Sequence, residues 1–314
     1  MVHRVRHEKY CKEVLKKIKP KVGAFVFDVD GTIKSSSEPE CLPLELIKKI
    51  VSSGKFAAII TASGVSALEG LAGPIGKLIS ENNYSIPVYF GVANGVALYR
   101  LDHQGRHELY NYSLKIKEIK NILKAWGIVM KANKIKDADL VERGLITFNE
   151  FLKKDWGKYI PGNYLSLSGK FAGKCFVEKL KATLVMPKNE VFSQGKFVMV
   201  MQEQIDKVAG RGKYIIEMGD TTFAHVTQRP GMAPKLFALK RIIRELKLKK
   251  EQILTFGDMP FGNDRGLLVD SRLPYTFTNK DLDKSNITNP PFILPESEQT
   301  PIESVYRAVD FLLT

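Results

Sequence analysis

The chain has 314 residues, 44% of them hydrophobic and 26% charged, with a formal net charge of +14. That length supports one large domain or two ordinary ones, around a core that needs no disulfide or metal staples. The composition excludes a disordered, low-complexity or collagen-like chain, and no apolar stretch approaches the length of a membrane span.

The N-terminal stretch MVHRVRHEKYCKEVLKKIKPK is basic but lacks the apolar core of a signal peptide. Cys11, Cys41 and Cys175 are widely separated, with neither metal-ligand spacing nor an even disulfide set. Both features point to the cytoplasm. The lysines are spread along the whole chain and no aromatic residues alternate with arginine. The positive charge therefore reads first as solvated helix faces, and nucleic acid is not expected as a partner. The excess charge still suits a phosphate-bearing ligand.

Residues 24–27, in AFVFDVDGTI, form a short apolar run that predicts a fully buried strand. In 43–53, Leu44, Ile47, Ile50 and Val51 share one helical face and Gly54 is placed to end the helix. FAAIIT (56–61) predicts a second buried strand, so that strand, helix and strand make a right-handed parallel crossover. VYFGVANGVALY (88–99) reads as a third strand, a turn at Asn94-Gly95 and a fourth strand. The pattern then changes. A helix is expected over 113–126, with Ile116, Ile119, Ile122, Leu123 and Trp126 on one side. Strand-like FVEKLKATLVM (176–186) follows, then a hairpin in 214–227 turning at Gly219-Asp220. From about residue 230 the first pattern resumes. Leu236, Leu239, Ile242, Ile243 and Leu246 line a helix, and ILTF (253–256) is a buried strand followed by GDMPFGND. The fold class that results is α/β. A Rossmann-like parallel-sheet core (residues 1–97 and 231–314) carries an inserted α+β cap at residues 98–230.

Ligands of open parallel sheets gather at the carboxyl ends of the strands. Asp28 and Asp30 follow the first strand, Thr61 the second, Asn94 the third, and Asp258 with Asn263 and Asp264 the last. Lys235 lies near the start of the helix before that last strand. A carboxylate can attack phosphorus, provided a hard cation such as Mg²⁺ offsets the repulsion between two anions. Asp28 and Asp258 could hold that cation, and Asp30 could protonate the leaving oxygen and later deprotonate water. Thr61 could donate to the phosphoryl oxygens and Lys235 could neutralise them. Gly31 permits the tight turn that aims backbone amides at the same group. The plainer readings are a solvated turn for the acid pair, a strand-end hydroxyl for Thr61, a solvated helix residue for Lys235 and a simple turn for Asn94. His225 reads as a structural histidine and Cys175 as packing.

DVDGT after an apolar strand, a Thr after a second strand, a downstream Lys and then GD…ND resemble the four motifs of the haloacid dehalogenase-like hydrolases. The insertion between the second and third motifs resembles the cap of the branch holding Cof-type sugar phosphatases, sucrose-phosphate phosphatase, trehalose-phosphate phosphatase and phosphomannomutase. ANG at 93–95 is similar to that branch's Asn-Gly. The resemblance implies Asp28 as nucleophile and Mg²⁺ ligand. It implies Asp30 as acid/base that also gives the metal its backbone carbonyl. Thr61 and Lys235 would hold the phosphoryl group, and Asp258 would be the remaining metal ligand, with Asn263 and Asp264 completing the acidic loop. Two departures stand out. GDMPFGND is two residues longer than the usual GDxxND, which leaves open whether Asn263 or Asp264 faces the metal. TASG replaces TGR, so Ser63 could act in place of Thr61.

The function expected is a Mg²⁺-dependent phosphatase acting on a small phosphorylated metabolite, a sugar phosphate first, through an aspartyl-phosphate. The alternatives are a phosphomannomutase-like phosphotransferase and, on charge alone, a polyanion-binding protein. Arg143, Lys170, Lys174, Arg211 and Arg229 are the cap cations available to select a substrate.

Overall fold

The computed structural model describes residues 12–34, 43–64, 67–133, 175–177, 180–186, 194–219, 223–260, 262–268, 271–276, 293 and 300–314. Cys11, Cys41, Arg143, Lys170, Lys174 and Asp220 lie outside them. The chain divides into two compact units, Met1–Ser63 with Ala67–Asn111 and Met232–Thr314, and Gly64–Ser66 with Tyr112–Gly231. Among the described residues no helix is long and apolar enough to cross a membrane.

The first unit is built on a seven-stranded sheet. Its strands are β1 (Ala24–Phe27), β2 (Phe56–Ile60), β3 (Val88–Val92), β4 (Ala97–Asp102), β5 (Gly105–Asn111), β10 (Ile253–Gly257) and β11 (Leu273–Thr276), in the order β11-β10-β1-β2-β3-β4-β5. From β11 to β3 all neighbours are parallel, with β1 paired to β2 and β10 on its two sides. All four β1 residues are buried, as a central strand covered on both faces requires. Phe27 stacks on Phe256 at 4.9 Å between ring centroids, and Phe256 meets Tyr275 at 5.1 Å. Helix α1 (Leu44–Ser52) buries Leu46, Ile47, Ile50 and Val51. A helix after it, α2 (Gly73–Glu81), buries Ile75 and Ile79.

The chain reverses after β3 through three consecutive residues with positive φ: Ala93 at 50°, Asn94 at 61° and Gly95 at 85°. Only glycine adopts this region without cost, and the turn is held by hydrogen bonds from Ala93 N to Ser63 O (2.7 Å) and Asn94 N to Thr61 O (2.8 Å). The reversal makes β4 antiparallel to β3, and β5 continues antiparallel to β4. Residues 98–111 thus belong to the first unit's sheet, and the boundary expected after residue 97 falls between Asn111 and Tyr112.

The second unit holds a four-stranded antiparallel sheet of β6 (Cys175–Val177), β7 (Ala182–Val185), β9 (Phe223–Gln228) and β8 (Tyr214–Met218), in that order. Helices α3 (Ile116–Ala132) and α4 (Gln194–Ala209) share one core with it. Helix α3 runs beyond the expected 126. Its buried face is Ile119, Ile122, Ala125, Trp126, Val129 and Met130, whereas Ile116 is 53% exposed. The segment 176–186 is broken into two strands.

After the second unit, helix α5 (Pro234–Leu246) opens with Pro at its first position, where no amide partner is lost. Its Ala238, Leu239, Ile242 and Leu246 pack on Val26, Ala58, Ile60, Tyr89 and Leu98. A short helix α6 (Arg265–Leu268) leads to β11, and α7 (Pro301–Leu313) closes the unit. Helix α7 starts with a reciprocal cap in which Thr300 Oγ1 accepts from Glu303 N and Glu303 Oε2 accepts from Thr300 N.

Candidate active site

All the candidate residues belong to the first unit and follow the carboxyl ends of β1, β2, β3 and β10, or open α5. Asp28 continues the β1 ladder, its amide donating to Phe256 O at 2.9 Å. The loop after it is tied by Val29 O, which accepts from the amides of Thr32, Ile33 and Lys34. Gly31 sits in this loop at φ 80°, and a Cβ there would lie 2.5 Å from Asp258 Oδ2. The backbone of the first acidic loop therefore lies directly beside the Asp258 carboxylate, which only glycine permits.

Lys235 is fully buried, and its Nζ donates to Asp28 Oδ1 at 2.6 Å and to Asp264 Oδ1 at 2.5 Å. Asp264 Oδ2 accepts from the amides of Asp258 (3.1 Å) and Met259 (3.0 Å). Both Asp264 oxygens are thus engaged in holding Lys235 and the acidic loop. Gly257 leaves room for this arrangement, since a Cβ on it would stand 2.9 Å from the Asp264 carboxyl. Asn263 Oδ1 is buried and has no hydrogen-bond partner among the described residues. Of the two loop residues, Asn263 is the one with an oxygen left to ligate.

The second strand end is organised around Thr61, whose Oγ1 accepts from Ser63 N at 3.0 Å while its own proton remains to be donated. Ser63 Oγ donates to Asp30 Oδ2 at 3.4 Å, a long contact. Asp30 is exposed, whereas Asp28 is buried. The two acids of this pair thus have different environments, one buried and one exposed. Asn94 is buried in the turn against which α5 packs, which gives it a structural place at the third strand end.

One carboxylate oxygen each from Asp28, Asp258 and Asp264 lie within 4.8 Å of one another. The Asp30 side chain is not among them. Burial and then the neighbouring Asp264 raise the Asp28 carboxyl well above its usual range, against the opposing pull of Lys235. Burial and Asp264 push Asp258 up to about 7. Burial disfavours the Lys235 charge, but Asp264 and Asp28 outweigh it and raise its pKa, so the ammonium persists. One lysine does not balance the acids around it. The donor set of carboxylates and an amide oxygen, with excess negative charge, fits a hard divalent cation. The spacing of acids at strand ends made Asp28 and Asp258 legible from sequence. The Lys235–Asp264 bond was missed, for the two are 29 residues apart and no local pattern links them.

No sequence-family model matches the chain, and neither does any curated protein. Solved structures do match. One is the IMP-bound IMP-nucleotidase of Plasmodium falciparum, at a TM-score of 0.56 and 13% identity over 95% of this chain and 70% of that one. Another is a haloacid dehalogenase-like hydrolase of Bacteroides thetaiotaomicron, at 0.55 and 14% over 92% and 99%. A third is a HAD/COF-like hydrolase of Plasmodium vivax, at 0.55 and 16% over 95% and 98%. By this structural likeness, the chain has the fold of the haloacid dehalogenase-like hydrolases.

Proposed function

We propose that the chain is a Mg²⁺-dependent phosphatase of small phosphorylated metabolites, with a sugar phosphate as the first candidate substrate. The observation that carries this reading is the buried Asp28–Lys235–Asp264 bridge beside Asp258. Asp28, Asp258 and Asn263, with the Asp30 backbone carbonyl, would hold the cation. When bound, Mg²⁺ neutralises the charge of the phosphate and allows it to approach the carboxylates. An Asp28 oxygen then forms a bond to phosphorus as the bond to the leaving oxygen breaks, and Asp30 gives that oxygen its proton. Water attacks the aspartyl-phosphate, Asp30 takes the water's proton, and inorganic phosphate leaves. Lys235 and the Thr61 hydroxyl hold the phosphoryl oxygens; Ser63 Oγ, on Asp30, positions the acid/base. The second unit would serve as the substrate-selecting cap, with exposed Arg211 and Arg229 among its cations.

The lengthened loop GDMPFGND favours one second reading, a phosphotransferase that returns the phosphoryl group to a sugar hydroxyl. Phosphate release from hexose phosphates, glycolytic acids and nucleoside monophosphates, with Mg²⁺ and with EDTA, separates the two. Nucleotides join the panel because a similarly folded protein is an IMP-nucleotidase. Metal-dependent release, abolished in Asp28→Asn, is expected. Isomerised sugar phosphate without free phosphate would establish the transferase instead, and activity retained in Asp28→Asn would remove the proposed nucleophile.

A further inference from the structure

The parallel strands β11, β10, β1 and β2 all begin at one edge of the first unit's sheet, opposite the strand ends that carry the candidate active site. Cations precede each of them. Lys19 and Lys21 come before β1, Lys55 directly before β2, Lys249 and Lys250 before β10, and Arg272 directly before β11. The backbone ties these segments together. Gly23 N donates to Gln252 O at 2.8 Å and Phe56 N to Gly23 O at 3.0 Å, while Lys55 Nζ donates to Val22 O. Lysines scattered through the sequence thus meet on one surface.

Lys21, Lys249, Lys250 and Arg272 are exposed. Lys55 is half-buried, and burial followed by the neighbouring Lys19 lowers its pKa. Glu251 is the acid in the same stretch. Asp310, on the helix whose Phe311 lies under Lys19, is already paired with Lys49 at 2.8 Å. Like charges are therefore held side by side with little opposing charge, and an anion spanning them relieves the repulsion. From β11 to β2 the edge covers three strand spacings, about 14 Å. That is comparable to the roughly 12 Å width of the major groove of duplex DNA, with phosphates on either side. Among the described residues the large apolar side chains that are exposed are Ile116, Ile128 and Met199, all in the second unit. The edge thus offers neither a ring on which an unstacked base lies nor an apolar wedge for a bilayer.

We propose that this edge binds double-stranded nucleic acid through its phosphates, without reading base sequence, as an activity separate from the chemistry at Asp28. The fold provides the concentration of charge that the linear order of the lysines conceals.

Fluorescence anisotropy of labelled duplex RNA and duplex DNA, titrated with the full chain in EDTA at about 50 to about 200 mM salt, tests it. Contacts from all the named cations give a slope of about −5 for log affinity against log salt concentration. Lys249→Gln with Lys250→Gln should make that slope shallower by about 2 and leave phosphate release unchanged. Lys117→Gln with Lys120→Gln removes the same charge from exposed positions on α3 and should keep the wild-type slope. Asp28→Asn should bind as the wild type does, so failure of the phosphatase reading and failure of this one are distinguishable. No duplex binding at about 50 mM salt, the same slope in the two double variants, or binding to phosphatidylserine-containing vesicles that duplex fails to displace would overturn the proposal.

Discussion

Asp258 and Asp28 are held in a folded state that disfavours their ionised forms, because burial and neighbouring acids act together. A carboxyl whose pKa is higher folded than unfolded keeps its proton longer in the native state. Stability then falls as pH rises from the unfolded value through the folded one, and the cost is complete above about 7 for Asp258. The metal-free protein, in EDTA, should therefore lose Tm between about pH 5 and about pH 8, and saturating Mg²⁺ should reverse that loss most at the alkaline end. Thermal unfolding across that range checks it, with Asp258→Asn expected to flatten the slope. A Mg²⁺ effect equal at both ends would contradict the assignment of the buried acids as ligands. The sequence carried this much of the site plainly, because an apolar run ending in a carboxylate is a local signal. It did not carry the engagement of Asp264 by Lys235 and two amides, nor the unpartnered oxygen of Asn263. Those follow from how α5 meets the loop after β10 and the short helix α6 that ends it.

Helix α5 aims Lys235, and it can do so only because its first turn approaches the reversal after β3 very closely. A Cβ on Gly95 would lie 2.6 Å from Ala238 Cβ and 3.0 Å from Pro234 O, one residue before Lys235. Gly95→Ala should cost about 2 kcal/mol, combining backbone strain with displaced packing. Gly54, also at φ 80° but with nothing within 4 Å of its Cβ position, is the matched control. Gly54→Ala should cost about 1 kcal/mol, from backbone strain alone. Denaturant unfolding compares them, and phosphate release should drop only in the Gly95 variant. Equal effects would mean that the turn does not position the helix. The Asn94-Gly95 pair was visible in the sequence as a turn. Its contact with a helix some 140 residues later was not, since sequence turn signals describe only the local backbone.

The strand–helix–strand rhythm of the core was legible because its buried strands are nearly all apolar. The end of the first unit was not. Strand β5 reads GRHELYN, an edge strand with alternating exposure and few apolar residues, so nothing in it matched the buried strands of the core. The contact of Thr183 with His225 in the second sheet was hidden for a related reason: the two are 42 residues apart and meet only through the register of β7 and β9. In the proposed function, the candidate residues of the first unit serve one chemical event, the transfer of a phosphoryl group to Asp28. Acid quenching during turnover of a labelled substrate, followed by peptide mapping, tests that event most directly. Label should reside on the peptide containing Asp28, be released by hydroxylamine as an acyl-phosphate is, and be absent in Asp28→Asn. Turnover with no labelled protein at any quench time, or label on another residue, would contradict it.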